Sequence, residues 1–255
     1  MKYIRIRVND KDKWGILKGD TVLTLCRPPF DGLNYEGDSI PLEQCRILPP
    51  CEPSKIVCVG QNYREHVVEM VQEKLSKQNM GDPVLFLKGP NAVNRQEGAI
   101  HVPGFVNRLD YEGELAVVIG KKARDVKASA AREYILGYTC ANDITARDIQ
   151  QKDGQWTRSK SMDGFCPLGP WIEDTLNPKH IRLITRLNGE VKQSTDTSAM
   201  IADVFQLVEF ISAAMTLEPG DVILTGTPSG VGLMVPGDVV EVEIEGIGIL
   251  KNYVV

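Results

Sequence analysis

The chain has 255 residues, of which 42% are hydrophobic and 25% charged, enough to bury a substantial core in one domain or in one large and one small. A formal net charge of −5, a pI near 5.4 and the lack of any basic stripe argue against a nucleic-acid partner. No apolar run reaches the length of a membrane span, and the opening MKYIRIRVNDKDKWGIL is too charged for a signal peptide, so a cytoplasmic protein without a membrane partner is expected.

The first elements in chain order are β. Residues 3–8 alternate polar and apolar, and 14–17 and 21–25 continue as short strands around Lys18-Gly19-Asp20. Residues 26–53 hold six prolines and polar spacers, which predicts a linker. The expected domains are therefore a small N-terminal β domain with its linker at 1–52 and a main domain at 53–255. A strand over 54–60 opens the main domain, and Asn62 is expected to cap a helix running to Val71. The polar tract 72–81 is expected to form a lid. Strands follow at 83–88, 100–103 and 110–120, then a short helix at 129–136. Residues 138–143 read as a strand that runs into a helix at 144–150. The alternating segment 181–187 meets Asn188-Gly189, a strong hairpin signal. Residues 199–215 place Ile201, Val204, Phe205, Val208, Ile211 and Met215 at helical spacing, with Thr197 or Ser198 as the expected cap. The tail is β, with Pro-Gly-Asp turns at 219–221 and 236–238 each launching a strand.

Many short strands, few helices and no βαβα rhythm exclude a Rossmann fold or a TIM barrel. They predict a mixed, strand-dominated α+β protein built on a largely antiparallel β-roll or barrel-like core. The six cysteines (Cys26, Cys45, Cys51, Cys58, Cys140, Cys166) are scattered without a C-x-x-C pair, which predicts reduced thiols and no zinc site.

The strand over 110–120 opens with two carboxylates. Alternation in a strand puts Glu112 and Glu114 on the same side, where they repel unless solvated or bridged by a cation. Hard cations such as Mg2+ take such oxygens, so a Glu-x-Glu strand is either a pair of solvated edge residues or half a metal site. Asp143, at a strand end before a helix, is either a helix cap or a third ligand. His66 and Glu69 stand three apart at the start of a helix, so the glutamate can accept the imidazole N–H and orient a general base. Lys160 lies in a turn-rich segment, where a lysine is ordinarily solvated. The loop Gly226-Thr227-Pro228-Ser229-Gly230-Val231-Gly232 could offer backbone N–H groups to an anion, but it lacks the lysine and spacing of a nucleotide-binding loop.

Taken together, these motifs resemble the fumarylacetoacetate hydrolase family from about Ser54 to Val255. They are Val59-Gly60-Gln61-Asn62-Tyr63 followed by His66, Phe86-Leu87-Lys88, the run Asp110 to Lys121, the run Asn142 to Gln150, Lys160-Ser161 before Cys166-Pro167-Leu168-Gly169-Pro170, and the glycine-rich loop. The β unit before Pro53 resembles the short N-terminal domain of small bacterial members such as acylpyruvases and 2-hydroxyhepta-2,4-diene-1,7-dioate isomerases. The N-terminal part is much shorter than in the large eukaryotic hydrolase, so that enzyme's substrate does not transfer.

The resemblance implies a β-roll catalytic domain and a homodimer. It implies a divalent cation on Glu112, Glu114 and Asp143, Mg2+ first, with Mn2+ or Ca2+ as alternatives. It makes His66, Glu69 and Lys160 catalytic, and Lys88, Arg147, Gln150 and Thr227 substrate-binding. The substrate class it implies is a small 2-oxo acid with a second carbonyl or carboxylate. Hydrolytic C–C cleavage of an acylpyruvate leads, because the His66/Glu69 pair is intact. Decarboxylation of oxaloacetate-like acids and isomerisation of 2-hydroxy-diene diacids in aromatic catabolism are the runners-up. A catalytically silent, metal-stabilised β scaffold is the reading from another class, and a full set of ionisable residues argues against it.

Overall fold

The computed structural model describes residues 1–72 and 81–255. Most of the expected lid tract therefore lies outside the described residues. The N-terminal part forms strands β1 (Lys2–Val8), β2 (Lys11–Lys18), β3 (Thr21–Leu25), β4 (Tyr35–Pro41) and β5 (Arg46–Ile47). The proline-rich stretch expected to be a linker thus holds two strands, and β4 pairs antiparallel with β3. Pro41, at the end of β4, is compatible with an edge strand, where no ladder donor is lost.

The remaining strands are β6 (Ile56–Gly60), β7 (Val84–Lys88), β8 (Val93–Asn94), β9 (Ala99–Ile100), β10 (Leu109–Tyr111), β11 (Gly113–Ile119), β12 (Ile135–Asn142), β13 (Thr145–Ala146) and β14 (Cys166–Glu173). They continue with β15 (Arg182–Leu187), β16 (Glu190–Asp196), β17 (Val222–Leu224), β18 (Gly232–Met234), β19 (Val239–Ile244) and β20 (Gly248–Val254). The helices are α1 (Arg64–Gln72), α2 (Arg147–Asp153), α3 (Thr157–Lys160) and α4 (Val204–Ala214).

The strands form a long sheet in the order β4-β3-β2-β1-β14-β12-β11-β17-β6-β7, a three-stranded sheet β13-β10-β18 and a five-stranded sheet β16-β15-β19-β20-β9. The fold is strand-dominated α+β with few helices, as the sequence predicts. β1 pairs with β14, so the long sheet runs from the N-terminal strands into the main body.

β6 and β11 are each flanked by strands on both sides in the long sheet and are buried on both faces, which explains their unbroken apolar runs. Val57, Leu115, Val117 and Ile119 pack against α4 and the five-stranded sheet, while Ile56, Cys58, Ala116 and Val118 pack on the other face with Tyr3, Ile16 and Leu25. Each fully buried aliphatic side chain there contributes on the order of 1.5–3 kcal/mol.

Two turn motifs hold the register. Asn188 and Gly189 adopt φ values of 54° and 83° in the two-residue link between β15 and β16, the left-handed pair that a tight hairpin needs. Asp221, fully buried after Pro219-Gly220, accepts the backbone N–H of Ser54, Lys55 and Glu218 and pins β17 beside the start of β6.

Several local expectations resolve differently. Residues 128–134 form a 3-10 turn, and α2 begins at Arg147 after the bridge strand β13. Asn62 does not cap a helix; its side chain ties to Ala202 and to the Thr225 carbonyl. The cap of α4 is Asp203, which forms a capping box with Gln206, while Thr197 begins a 3-10 turn. The six cysteines are free. No helix among the described residues is long and apolar enough to cross a membrane.

Candidate active site

The segment read as one strand from 110 to 120 is two. The chain leaves β10, which belongs to the three-stranded sheet, passes through Glu112, and enters β11 in the long sheet. Across the ladder, Gly113 faces Asn142, and the Asp143 N–H donates to the Glu112 carbonyl at 2.8 Å. The Asn142 side chain accepts the Glu112 N–H at 2.9 Å and fixes the crossing point. One carboxylate oxygen from each of Glu112, Glu114 and Asp143 consequently falls within 4.8 Å of the others, and all three residues are buried. Asp143 is not a cap, because α2 starts four residues later.

Three cationic side chains enclose this triad. Lys160, from the end of α3, donates to Glu112 at 2.8 Å and Asp143 at 2.7 Å. Lys88, from the end of β7, donates to Asp143 at 2.5 Å and to the Ile144 carbonyl at 3.0 Å. Arg147, the first residue of α2, reaches Asp110 at 2.9 Å, Glu112 at 2.5 Å and Gln150 at 2.9 Å. Burial opposes ionisation of Glu112, but Lys160, Arg147 and His66 outweigh it and hold the carboxyl below its usual range. Burial likewise opposes the charge on Lys160, yet Asp143 and Glu112 raise its pKa.

Glu114 differs from its neighbours. Its one hydrogen-bond donor among the described residues is the Gly226 N–H, at 2.6 Å. Burial, reinforced by Asp143 and Glu112, pushes its carboxyl well above the ordinary range. Of the four buried carboxylates (Asp110, Glu112, Glu114, Asp143), three have cationic partners, with Asp110 shared by Arg147 and Arg108, and Glu114 has none among the described residues. A hard cation at the triad would supply the missing positive partner. The all-oxygen donor set, without thiolate or imidazole, suits Mg2+ or Mn2+, and the residues fit such an ion.

His66 projects from α1 into the same cavity as the triad. Its Nδ1 lies 2.9 Å from Glu69 Oε2, and the other Glu69 oxygen accepts the Gly230 N–H at 2.8 Å. With Nδ1–H donated to Glu69, Nε2 is the basic nitrogen. Arg147, Gln150, Lys160 and Thr227 also line the cavity. Lys88, expected as a substrate contact, does not; it is buried and its ammonium donates to Asp143 and the Ile144 carbonyl. Phe86 and Trp156, which sequence reasoning did not single out as functional, form an edge-to-face wall at 5.1 Å, with the Lys160 ammonium 5.0 Å from the Phe86 ring. Asp110 and Asn142 were missed too, although both lie inside the quoted motifs.

Comparison with known proteins agrees with this geometry. The family model described as fumarylacetoacetate (FAA) hydrolase C-terminal matches residues 55–255, and the Rv2993c-like N-terminal model matches residues 1–50. The chain is 41% identical to oxaloacetate tautomerase YisK of Bacillus subtilis, over 84% of this chain and 74% of that one. The structure of 5-carboxymethyl-2-hydroxymuconate delta-isomerase from Mycobacterium smegmatis is 45% identical and superposes with a TM-score of 0.93, covering 100% of this chain and 99% of the other. Maleylpyruvate hydrolase from Sphingobium sp. SYK-6, solved in complex with manganese (II) ion and pyruvate, is 27% identical with a TM-score of 0.81 over 100% and 99% of the two chains. A match over four-fifths of the sequence, with a buried acidic triad where the motifs converge, places this chain in the fumarylacetoacetate hydrolase family, whose enzymes bind a divalent metal.

Proposed function

We propose that the protein is a divalent-metal-dependent enzyme that moves a proton at the carbon beside the keto group of a small 2-oxo dicarboxylic acid, interconverting its keto and enol forms. The observation that carries this reading is that a buried acidic triad and an oriented imidazole face one cavity. The similarity to an oxaloacetate tautomerase and to a dienoate isomerase supports proton transfer as the reaction type.

Glu112, Glu114 and Asp143 would hold the ion, Mg2+ in the first instance. When bound, it supplies Lewis-acid stabilisation of negative charge on the 2-oxo oxygen. The rest of the chemistry belongs to side chains. Glu69 holds His66 in the tautomer whose Nε2 takes the proton from C3 as the C2–C3 double bond forms and delivers it to the 2-oxo oxygen, giving the enol; the reverse transfer regenerates the keto acid. Lys160 adds a positive donor at the oxygen where charge develops. Arg147, Gln150 and Thr227 orient the carboxylates of the substrate, and Phe86 and Trp156 exclude water from that side.

Hydrolytic C–C cleavage of an acylpyruvate is the second reading, favoured by the similarity to a hydrolase solved with manganese and pyruvate. There His66 activates a water instead of moving a substrate proton. A homodimer belongs to the same proposal: Leu233 on the edge strand β18 and Val235 just after its end stand half-exposed, two residues apart, an apolar surface that a second copy would cover.

Enol absorbance decides between the readings. Chelated protein is given oxaloacetate or acetylpyruvate, with and without Mg2+. Metal-dependent acceleration of oxaloacetate tautomerisation, with acetylpyruvate left intact, is the expected result. Release of pyruvate from acetylpyruvate would favour hydrolysis, and no metal-dependent change with either substrate would overturn both readings.

A further inference from the structure

β16 is an edge strand whose residues are exposed or half-buried, with one exception: Gln193 is buried, 1% exposed. Burying an amide costs free energy unless its groups are paired, and Gln193 is paired at both ends. Its Oε1 accepts the Gly113 N–H at 3.0 Å, and its Nε2 donates to Thr227 Oγ1 at 2.8 Å and the Pro228 carbonyl at 2.9 Å. Gly113 is the residue between the two glutamates, and Thr227-Pro228 is the middle of the glycine-rich loop.

That loop touches both halves of the site. Near its start, Gly226 N–H donates to Glu114, and Thr227 Oγ1 donates to the Gly113 carbonyl at 2.9 Å. Further along, Gly230 N–H donates to Glu69, the partner of His66. The loop lies hard against β16: a Cβ on Gly230 would fall 2.1 Å from the Lys192 carbonyl. The strand between the glutamates is seated as closely, since a Cβ on Gly113 would fall 2.0 Å from Thr185 Oγ1 and 3.2 Å from Gln193 Oε1. Thr185 is the cross-strand partner of Gln193, and the β15–β16 register shifts immediately after it.

We infer that Gln193 is a positioning residue that locks the Glu112–Glu114 strand and the 226–230 loop together, and so sets the metal carboxylates and the His66/Glu69 base relative to each other. The inference rests on the proposed function for what is positioned, and on hydrogen bonds alone for how. An apolar residue would fill the space equally well but would leave the Gly113 N–H and the Pro228 carbonyl without their partner.

The test uses two variants of the full chain. Gln193→Leu keeps the volume and removes every hydrogen bond; Gln193→Glu keeps the acceptor for Gly113 and loses the donors to the loop. Mn2+ binding, read from the free-ion electron paramagnetic resonance signal, should weaken roughly 10–100-fold in Gln193→Leu, the usual loss when a ligand's support is removed. In Gln193→Glu it should recover to within a few-fold of wild type, while kcat stays low because the Glu69 end of the loop is released. Hydrogen exchange of the 226–230 amides should accelerate in both variants. Asp203→Ala, which weakens α4 away from the site, controls for general destabilisation.

Wild-type Mn2+ affinity and kcat in a folded Gln193→Leu protein would overturn the inference, as would losses no larger than those of Asp203→Ala. If Gln193→Leu does not fold, the split between affinity and kcat in Gln193→Glu carries the test, and parallel losses in both would count against it. If the wild type binds no Mn2+, the functional reading falls but the exchange arm still decides: unchanged exchange at 226–230 rejects a locking role, and faster exchange upholds it.

Discussion

At the scale of single residues, the site is held in an arrangement that is unfavourable without a cation. Glu114 shares a buried pocket with two other carboxylates and one backbone donor, whereas Glu112 and Asp143 each have cationic partners. Glu114→Gln removes the one buried carboxyl of the four that has no cationic partner and keeps the shape. In chelator the variant should melt at or above the wild-type temperature, and it should lose the stabilisation that Mg2+ gives wild type, because a ligand stabilises only what it binds. Thermal melts of both proteins with EDTA and with Mg2+ check this; a Mg2+-induced shift of equal size in the two would remove Glu114 from the ligand set. His66→Ala makes the opposite separation. It leaves the triad untouched, so Mg2+ should still raise the melting temperature while turnover falls by roughly two to four orders of magnitude, the usual contribution of a general base. Turnover within a few-fold of wild type would show that His66 is not the base. Glu112 with Glu114, and His66 with Glu69, stood out because each is a pair of charged residues at fixed spacing, whereas Asp143 alone reads as a helix cap or a ligand and was singled out only by the resemblance. Gln193 was not: in Glu190-Val191-Lys192-Gln193-Ser194 it reads as one more polar side chain on an edge strand.

At the scale of elements, the sequence was most misleading where apolar periodicity ran past the end of an element. Ile201 falls in phase with Val204 and Val208, so the helix seemed to begin near Thr197. In the structure Met200 bridges to Tyr63 and the Ile201 N–H donates to the Asn62 carbonyl, which commits that stretch to a different partner. The helix therefore starts three residues after Ile201, under an Asp203 side chain that accepts the N–H groups of Phe205 and Gln206. Asp203→Ala should lower stability by about 1 kcal/mol through loss of this cap. For a chain of this size that is about 2–4 °C in Tm, with no change in Mn2+ affinity. A shift under 1 °C, about a quarter of that expectation, would mean that the capping box adds nothing. The same over-extension hid the break at Glu112. An apolar run after a pair of acids looks like one strand, and only the pairing partners show that β10 and β11 belong to different sheets.

At the scale of the whole molecule, the unbroken apolar runs of the central strands were enough to read a strand-dominated core, because burial on both faces leaves no other composition available. That core also buries phenols. Burial, followed by Asp174 for Tyr3 and Asp110 for Tyr111, pushes both hydroxyls up to about 12, and burial alone does the same for Tyr138. In the unfolded chain these groups ionise near 10, so between pH 10 and about 12 the folded state holds protons that the unfolded state has lost. Their contribution is intact below the unfolded value and disappears as pH rises toward the folded one. The melting temperature should therefore fall steeply above pH 10, with tyrosinate absorbance appearing together with unfolding and not before it. Tyr138 separates this effect from the loss of lysine charge in the same range. Its hydroxyl is buried and has no hydrogen-bond partner among the described residues. Tyr138→Phe removes an unsatisfied group whose burial costs on the order of 1–3 kcal/mol, and should raise stability at neutral pH. It should also remove one proton from the alkaline slope, about 1.4 kcal/mol per pH unit. Chemical denaturation of wild type and variant at neutral and alkaline pH measures both quantities. A variant less stable at neutral pH would mean that the Tyr138 hydroxyl is hydrogen-bonded in the folded protein, and an unchanged alkaline slope would mean that burial does not raise its pKa.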